Sequence, residues 1–162
     1  MKELQVLTTG GTIDKVYYDD HSDYQVGEPE ISRILAAMNV GFEWSVQALM
    51  RKDSIHMDEA DRQHIQDAVL ASPHRHILIT HGTDTMTETA AALRDIPDRV
   101  IVMTGALNPA RFIDSDAMFN IGCAIGALQA LPAGVWIVMN GQVWDPSKVR
   151  KNRQANRFEA QP

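Results

Sequence analysis

The sequence has little of what a secreted, membrane-bound or nucleic-acid-binding protein needs. Its 162 residues include one cysteine, Cys123, so an internal disulfide cannot form and the fold does not depend on an oxidising compartment. No run reaches the roughly 18 apolar residues of a membrane-spanning helix, and the first residues lack the apolar core of a signal peptide. We therefore expect a soluble, cytoplasmic protein without a membrane partner.

An excess of basic residues is also missing. Fifteen Lys and Arg stand against 21 Asp and Glu, which gives a formal net charge of −6, whereas a nucleic-acid-binding protein should show a basic face. Hydrophobic residues make up 44% of the chain and charged residues 22%, ordinary values that exclude disordered and collagen-like proteins. The length is that of a single domain. We therefore expect one globular domain and no nucleic-acid partner.

Short apolar runs, each followed by small or turn-forming residues, predict the strands. They are residues 4–7, 77–79, 100–103 and 135–138, with a further candidate at residues 45–49. Near-continuous apolarity over four or five residues is typical of strands buried on both faces of a parallel sheet. Residues 24–26 favour a small hairpin.

Helical patterns lie between these runs. The first begins near Pro29 and places four apolar residues on one face: Ile31, Ile34, Leu35 and Met38. Asp58 caps a second helix, Thr85 begins a capping box that ends at Glu88 before a third, and residues 117–131 form the last. Strands that alternate with helices predict a three-layer α/β fold of Rossmann-like or flavodoxin-like type, a mainly parallel sheet with helices on both faces.

The last residues have a different composition. From residue 148 onward the chain turns polar and basic. We therefore assign residues 1–151 to the α/β domain and residues 152–162 to a polar C-terminal tail or short helix.

Two segments dense in glycine and hydroxyl residues follow predicted strands, at residues 8–12 and 80–85. Ligands of open α/β sheets bind beyond the carboxyl ends of the strands. Glycines permit close approach of backbone N–H groups, and a threonine becomes a nucleophile when a base is near. Each segment alone is also typical of a turn or a helix cap. Phosphate-binding loops and the G-x-S-x-G elbow are missing from the sequence.

Together, the two segments resemble the bacterial-type L-asparaginases, the family that includes the asparaginase–glutaminases. The resemblance is carried by TGGTI at residues 9–13 and by THGTDTM at residues 80–86, and it continues at residues 23–27, 103–109, 114–120 and 138–151. It covers nearly the whole chain, but only the N-terminal domain of the usual two-domain enzyme. It implies an amidohydrolase that converts L-asparagine to L-aspartate and ammonia without a metal or cofactor.

The resemblance also implies a catalytic role for each matching residue. Thr12 would be the primary nucleophile, and Tyr24, on a mobile lid, would help to activate or orient its hydroxyl. Thr83, Asp84 and Lys151 would form a second constellation, in which Lys151 assists deprotonation of Thr83. Asp84 would hold Lys151 and contact the α-amino group of the substrate. A lysine acts as a base only when its pKa is depressed, which burial favours and a nearby carboxylate opposes.

The residues that would hold the substrate include one departure from the family pattern. Ser54 matches the serine that holds the substrate α-carboxylate, but Ile55 stands where many family members have a polar side chain. Fewer polar contacts at the α-amino end predict weak binding and a preference for asparagine over glutamine. Backbone N–H groups of Gly11 and Thr83 are the candidates for oxyanion stabilisation. The expected substrate-binding residues are Gly11, Ser54, Ile55, Thr83 and Asp84.

Other interpretations of single residues stay open. Tyr24 alone is typical of a surface aromatic, Lys151 of a solvated basic face, and Ser54 of a helix cap. Cys123 lies in an apolar segment and is interpreted as a small buried hydrophobe. We expect no metal site, because His74, His76 and His81 lack a His-x-x-x-His helix and cysteine ligands.

Two alternative functions also stay open. One is a non-catalytic amino-acid-binding module derived from an asparaginase, which the absence of a C-terminal half motivates. The other is an amidase that prefers glutamine or another amide. The resemblance further implies a homo-oligomer, either a dimer or a tetramer.

Overall fold

A computed structural model of the protein describes residues 1–18 and 23–161. Along the chain its elements are β1 (Glu3–Thr8), β2 (Lys15–Tyr18), β3 (Asp23–Val26), α1 (Ile31–Ala37), β4 (Glu43–Ala48), α2 (Glu59–Ala71), β5 (His76–Thr80), α3 (Met86–Ala92), β6 (Val100–Thr104), α4 (Ala117–Ala130), β7 (Gly134–Met139), β8 (Gln142–Trp144), β9 (Val149–Asn152) and β10 (Arg157–Ala160).

The central sheet has the strand order β4-β1-β5-β6-β7-β8. Its first five strands run parallel, and β8 pairs antiparallel with β7. The four apolar runs form β1, β5, β6 and β7, since a strand in the middle of a parallel sheet is buried on both faces. The further candidate at residues 45–49 forms the edge strand β4, whose side chains are exposed or half-buried. The predicted mainly parallel α/β fold is confirmed.

Successive side chains of each strand point to opposite faces and build two cores. On β5, Leu78 packs in the core beneath α1 and α4, whereas Ile77 and Ile79 pack in the core beneath α2 and α3. All three side chains are fully buried, and full burial of such a side chain contributes about 1.5–3 kcal/mol. Helices therefore cover both faces of the sheet, as predicted.

The strand order opens a crevice between β1 and β5. From β1 the chain crosses to β4 on one side, whereas β5 pairs with the other side of β1. The loops that follow β1 and β5 consequently diverge, which is the arrangement in which open α/β sheets bind ligands. Thr12 follows β1 and Thr83 follows β5, so both border this crevice.

The connection through α4 differs in hand from the connection through α3. Both step one strand in the same direction, from β5 to β6 and from β6 to β7, but the two helices pack on opposite faces. About 98% of such crossovers are right-handed, and here one of the two is left-handed. With α4 on the α1 face, Asn120 donates to the Gly105 carbonyl at 3.1 Å and accepts from the Asn140 N–H at 3.2 Å. Asn120 thereby joins the loops that follow β6 and β7.

Helix α1 ends earlier than the apolar pattern predicts. Met38 was expected on the buried face, but it is exposed and follows the last helical residue. The next residue, Asn39, has φ 48°, a left-handed conformation in which asparagine commonly ends a helix. By contrast, the predicted cap of α2 is confirmed, since Asp58 accepts from the Asp61 N–H at 3.0 Å.

The C-terminal residues fold differently from the expected polar tail or short helix. β9 and β10 pair antiparallel as a hairpin, and Phe158 is buried against the core beneath α2 and α3. The alternation around Phe158 explains the strand, because Arg157 and Glu159 point the other way. An exposed ion pair of 2.8 Å joins Arg150 to Glu159 across the two strands.

Two further findings concern residues outside the site. Cys123 is half-buried on α4 and packs against the core beneath α1 and α4. Within residues 1–18 and 23–161, no helix is both long and apolar enough to cross a membrane.

Candidate active site

Three segments of the crevice touch through glycines. A Cβ atom added to Gly11 would lie 2.5 Å from the Gly82 Cα, and one added to Gly82 would lie 2.6 Å from the Ser54 Oγ. Gly11 also has φ 89°, which other residues rarely adopt. The loops after β1 and β5 and the turn that holds Ser54 are therefore in direct backbone contact. Thr12 and Thr83 each follow one of the two touching glycines.

Thr83, Asp84 and Lys151 form a hydrogen-bonded group at the carboxyl end of β5. The Lys151 Nζ donates to the Thr83 Oγ1 at 2.6 Å and to the Asp84 Oδ1 at 3.0 Å. Thr83 is 5% exposed, and the Lys151 side chain is 14% exposed. A short bond from an ammonium group in a nearly closed site stabilises negative charge on the hydroxyl oxygen. The arrangement can therefore lower the free energy of a threonine alkoxide.

The β9–β10 hairpin delivers Lys151 to this group. Lys151 lies opposite Phe158 in the antiparallel register, so both side chains point to the same face of the hairpin. Phe158 is buried, and its N–H donates to the Asn140 Oδ1 at 2.9 Å. The buried phenyl ring therefore fixes the strand that carries the lysine.

Thr12 and Tyr24 lie in a separate, open part of the crevice. Together with Lys15, Pro109 and Phe112 they line a cleft of about 280 Å³. Tyr24 is 44% exposed, and its ring packs against Tyr17 and Phe112 at centroid distances of 5.4 and 6.0 Å. Within the described part of the chain, hydrogen bonds do not connect the Tyr24 hydroxyl to Thr12. The structure thus brings the two residues to one cleft without joining them.

Ser54 is the buried residue of a 3-10 turn that precedes α2. Its Oγ accepts from the Thr85 N–H at 3.4 Å, and the Thr85 hydroxyl donates to the Ser54 carbonyl at 2.8 Å. This second bond corrects the expected capping box, because the Thr85 side chain makes no cap bond to α3. The hydroxyl is recruited instead to hold the Ser54 turn. The adjacent Ile55 is 55% exposed.

An ion pair connects the Thr12 cleft to the same turn. The Lys15 Nζ on β2 lies 2.8 Å from the Asp53 Oδ2, and Asp53 caps the 3-10 turn by accepting from the Ile55 N–H. Burial disfavours the Asp53 carboxylate, but the hydrogen bond and the charge of Lys15, together with the Ile55 N–H, outweigh it and lower the pKa of Asp53. The pair fixes the β2–β3 hairpin to the turn that carries Ser54.

His81 has a structural position that sequence reasoning missed. Burial lowers its pKa from 6.5 to about 4, so the ring is neutral. Its Nδ1 lies 2.7 Å from the Gly82 carbonyl and its Nε2 lies 2.9 Å from the Thr89 Oγ1. A carbonyl only accepts, so Nδ1 carries the proton and Nε2 accepts from Thr89. In a planar trans peptide the C=O and N–H groups point in opposite directions, so the Thr83 N–H is directed away from His81.

A second buried polar group lies under the Thr12 turn. Burial raises the pKa of Asp14 to about 7, and its Oδ1 accepts from the Glu30 N–H at 2.9 Å. Burial also disfavours the Glu30 carboxylate, but hydrogen bonds from Arg33 and Arg111 outweigh it and hold the pKa of Glu30 below its ordinary value. Arg111 precedes Phe112, so this cluster connects the Thr12 turn, the start of α1 and the Phe112 loop. No local sequence signal marks it.

His74, His76 and His81 do not come together as a metal site. Among residues 1–18 and 23–161, no three His, Cys, Asp or Glu side chains are arranged to hold a metal ion. The His74 Nδ1 lies 3.1 Å from the Glu3 Oε2. This pair lies at the amino ends of the parallel strands, opposite to the crevice. The same end contains a cavity of about 340 Å³ lined by Arg94, Gly134 and Trp136. Neither feature reaches the carboxyl ends of the strands.

These features define a three-layer α/β protein whose crevice carries two threonine hydroxyls and a lysine at the carboxyl ends of neighbouring strands. Residues 3–160 match the model of the family described as "Asparaginase, N-terminal". The chain therefore belongs to the asparaginase family.

Individual relatives agree with this assignment. A component of the glutamyl-tRNA(Gln) amidotransferase of Methanococcus vannielii is 30% identical over 164 residues, which cover 90% of this chain and 36% of that protein. The glutaminase-asparaginase of Pseudomonas fluorescens biotype A is 29% identical over 167 residues, or 93% of this chain and 46% of that protein. The thermostable L-asparaginase from Thermococcus kodakarensis superposes with a TM-score of 0.85 at 26% identity, covering 98% of this chain and 51% of that one. The chain thus spans 36–51% of the length of these relatives.

Proposed function

We propose that the chain hydrolyses the terminal carboxamide of a small amino acid, converting L-asparagine and water to L-aspartate and ammonia. The observation that supports this most strongly is the 2.6 Å hydrogen bond from Lys151 to Thr83, in a crevice where Thr12 follows a glycine that touches Gly82. Amide hydrolysis needs a nucleophilic oxygen, a means of moving its proton and donors for the oxyanion. The crevice offers candidates for all three.

In the proposed reaction the Thr12 oxygen attacks the amide carbon of the substrate. The carbonyl oxygen takes up the negative charge, and the Gly11 and Thr83 N–H groups stabilise it. The Thr12 proton passes to the leaving nitrogen, the C–N bond breaks and ammonia departs. Water then attacks the Thr12 ester, which releases the carboxylic acid and restores the hydroxyl. Tyr24 orients the Thr12 hydroxyl once the cleft closes on the substrate.

Lys151 and Thr83 act on the opposite side of the amide in this proposal. The ammonium group stabilises charge on the Thr83 oxygen, which holds and polarises the water that enters in the second step. His81 keeps the Gly82–Thr83 peptide in its orientation through the 2.7 Å contact to the Gly82 carbonyl. The same peptide supplies the Thr83 N–H for the oxyanion.

An amino-acid substrate has an α-ammonium group, which needs a carboxylate partner, and an α-carboxylate group, which needs a hydrogen-bond donor. Asp84 is the carboxylate next to Thr83 and is our candidate for the α-ammonium group. Ser54 is our candidate for the α-carboxylate. Ile55 has no polar atom for either, and we expect asparagine to be hydrolysed faster than glutamine.

An exposed apolar side chain, Phe112, lines the Thr12 cleft, and Ile113 follows it in the chain. Phe112 is half-exposed and Ile113 is almost fully exposed. We propose that another copy of the chain covers them in a homo-oligomer. Light scattering that gives a monomer at full activity would contradict this part of the proposal.

The function is tested by measuring ammonia release from L-asparagine and L-glutamine. We expect Thr12→Ala and Thr83→Val each to reduce kcat on L-asparagine by about 100-fold or more, with unchanged circular dichroism. Thr87→Val, the same change at a threonine on α3 outside the crevice, should retain activity. Wild-type activity in the Thr12 and Thr83 variants would overturn the assigned roles. Binding of L-aspartate without ammonia release from either amide would favour an amino-acid-binding module, and faster release from glutamine would favour a glutaminase.

A further inference from the structure

A threonine hydroxyl is buried on the apolar face of α3. Thr89 is fully buried, and so are Met86 and Leu93, which lie on the same face of the helix. Its Oγ1 lies 2.9 Å from the His81 Nε2. Burial of a hydroxyl costs free energy unless it is hydrogen-bonded, and a valine would fill the same space without that cost. The contact with His81, and not packing, therefore explains why this residue is a threonine.

The direction of the hydrogen bonds around His81 follows from its surroundings. A neutral imidazole has one N–H donor and one acceptor, and burial keeps this ring neutral because it lowers the pKa of His81 from 6.5 to about 4. The Gly82 carbonyl, 2.7 Å from Nδ1, only accepts, so the proton is on Nδ1. Nε2 is then the acceptor, and the Thr89 hydroxyl is its donor.

The peptide that this ring holds follows a glycine. Gly82 has no Cβ, so steric clashes restrict the peptide after it less than they would after any other residue. The ring N–H fixes the carbonyl of this peptide, and the Thr83 N–H points the opposite way. Within residues 1–18 and 23–161, no backbone carbonyl accepts from the Thr83 N–H. The His81 ring therefore keeps a donor directed away from itself, at the carboxyl end of β5.

The ring and its two partners form a relay. The Thr89 hydroxyl donates to Nε2, and the Nδ1–H donates to the Gly82 carbonyl. Successive hydrogen bonds polarise one another, so donation to Nε2 strengthens the bond that Nδ1 makes. A buried Nε2 without a donor is unfavourable, and the ring could regain a partner only by turning or by admitting water. Either change weakens its bond to the Gly82 carbonyl.

We infer that Thr89 is a positioning residue, whose hydroxyl holds the His81 ring so that the ring directs the Thr83 N–H toward the substrate. This inference rests on the proposed function, in which that N–H stabilises the oxyanion. Thr89 itself contacts neither the substrate nor the reacting atoms. Loss of its hydroxyl should therefore weaken the binding of the transition state and leave the binding of the substrate unchanged.

Three variants isolate the hydroxyl. Thr89→Val removes it and keeps the shape of the side chain, whereas Thr89→Ser keeps a hydroxyl at the same position. Thr104→Val is the matched control, because Thr104 is also fully buried and its hydroxyl donates to the Val138 carbonyl at 2.8 Å. Side chains alternate along β6, so that of Thr104 points to the face on which Val102 packs, beneath α1 and α4.

The relay is measured by NMR, independently of turnover. Proton–nitrogen correlation spectra report which ring nitrogen of His81 is protonated and the environment of the Thr83 amide. In the wild type at neutral pH we expect a neutral ring with its proton on Nδ1. Thr89→Val should shift the Nδ1–H and Thr83 amide signals, and Thr89→Ser should restore them. Thr104→Val should leave both signals in place.

Ammonia release from L-asparagine is measured on the same variants, with kcat and KM resolved. We expect Thr89→Val to lower kcat by about tenfold with an unchanged KM, since a misdirected oxyanion donor costs less than a missing one. Thr89→Ser should recover most of this loss, and Thr104→Val should keep the kcat of the wild type. Equal values of kcat in Thr89→Val and Thr89→Ser would contradict a role of the hydroxyl.

A wild-type ring protonated on Nε2 would overturn the inference, because Thr89 would then accept and not donate. This measurement uses the unmodified protein and does not depend on how a variant folds. An equal change in Thr104→Val would also overturn it. Ammonia release with NMR signals and kcat that Thr89→Val leaves unchanged refutes the role of Thr89 and leaves the amidohydrolase standing. Shifted signals without ammonia release from the wild type support the relay and refute the amidohydrolase.

Discussion

The two sides of the crevice are built in different ways. On the Thr83 side, His81, Thr83 and Asp84 follow β5 directly, Lys151 comes from the β9–β10 hairpin, and hydrogen bonds of 2.6–3.0 Å hold these residues in place. The Thr12 side, formed by Thr12, Lys15, Tyr24 and Phe112, lines an open cleft. Its Tyr24 is carried by the two-stranded β2–β3 hairpin, which is separate from the central sheet.

This difference indicates which part of the site exists before a ligand binds. β5 is held by neighbouring strands on both sides and the β9–β10 hairpin is anchored in the core by the buried Phe158, so their groups are fixed by the cooperative fold, whereas a two-stranded hairpin without such an anchor is marginally stable. We therefore expect the Thr83 side to be preorganised and the Thr12 side to be completed by the substrate. Changes on the Thr83 side should affect catalysis and folding most, and changes on the Thr12 side should affect catalysis alone.

The largest effect is expected from Lys151→Met. This change keeps the length of the side chain but removes the ammonium group that donates to Thr83 and Asp84. Loss of one donor to a developing anion commonly costs about 100- to 1,000-fold in kcat, and we expect a reduction of that size on L-asparagine. Lys148→Met, an exposed lysine on the same segment, is the control. A Lys151→Met enzyme within about tenfold of the wild type would show that the ammonium group is dispensable.

The next effect is expected from Gly82→Ala, which tests the contact between the loops. The new Cβ would lie 2.6 Å from the Ser54 Oγ, so the backbone must shift. Overpacking of this kind costs about 1–3 kcal/mol in the free energy of unfolding. Gly122→Ala is the control, because a Cβ at this helical glycine meets nothing within 4 Å and should stabilise the protein by about 0.5–1 kcal/mol. Urea unfolding of both variants checks the pair, and equal stability would contradict the close packing.

Tyr24→Phe should have a smaller effect, and on activity alone. The change removes the hydroxyl and leaves the ring packed on Tyr17 and Phe112. Because Tyr24 is 44% exposed, the free energy of unfolding should change by less than about 0.5 kcal/mol. We expect a loss of kcat on the order of 10- to 100-fold, at or below the lower end of the range for positioned proton donors, because Tyr24 orients the Thr12 hydroxyl rather than taking its proton. Unchanged kinetics on L-asparagine would remove Tyr24 from the mechanism.

The smallest expected effect needs no substitution and is the change in the free energy of unfolding with pH. The raised pKa of Asp14, about 7, means that its contribution to stability is lost as the pH rises from about 4 toward 7. The lowered pKa of His81, about 4, means that its contribution is lost as the pH falls from 6.5 toward 4. Between pH 5 and 6 the two slopes oppose each other, and the stability should be nearly constant.

Asp14→Asn separates these opposed contributions. The amide keeps an acceptor for the Glu30 N–H but does not titrate, so the slope from His81 is left, with a contribution of the same sign from His76, whose pKa burial also lowers. We expect the free energy of unfolding to rise by about 1 kcal/mol between pH 5 and 6 in this variant. Chemical denaturation at the two pH values makes the measurement. The same slope in the wild type and the variant would contradict a protonated Asp14.

Much of the fold could be predicted because its strands are marked locally. The runs at residues 77–79 and 100–103 are apolar enough to identify central parallel strands, and the glycine and threonine residues that follow them identify the ligand-binding end. The β9–β10 hairpin could not be predicted in this way. Phe158 is one apolar residue in a polar stretch, and the core that buries it is formed by strands far away in the sequence.

The features of the site that could not be predicted from the sequence have the same cause, which is contact between residues far apart in the chain. The position of His81 depends on burial and on Thr89 on the helix that follows, so the sequence argued against a metal ligand but could not identify a neutral buried ring. Arg153 stands in a basic run, and the position of its Nε, 3.2 Å from the Asp84 Oδ1, depends on how the hairpin folds. Local patterns therefore predict where the crevice lies, whereas the contacts that tune it arise from residues brought together by the tertiary fold.

The contrast between the two sides is tested most directly by hydrogen exchange of backbone amides with and without L-aspartate. We predict that residues 81–85 are protected in the free protein and that L-aspartate changes their protection little. Residues 12–18 and 23–26 should exchange rapidly in the free protein and become protected when L-aspartate binds. Equal protection of both segments in the free protein, or a ligand effect confined to residues 81–85, would contradict a preorganised Thr83 side and a Thr12 side completed by the substrate.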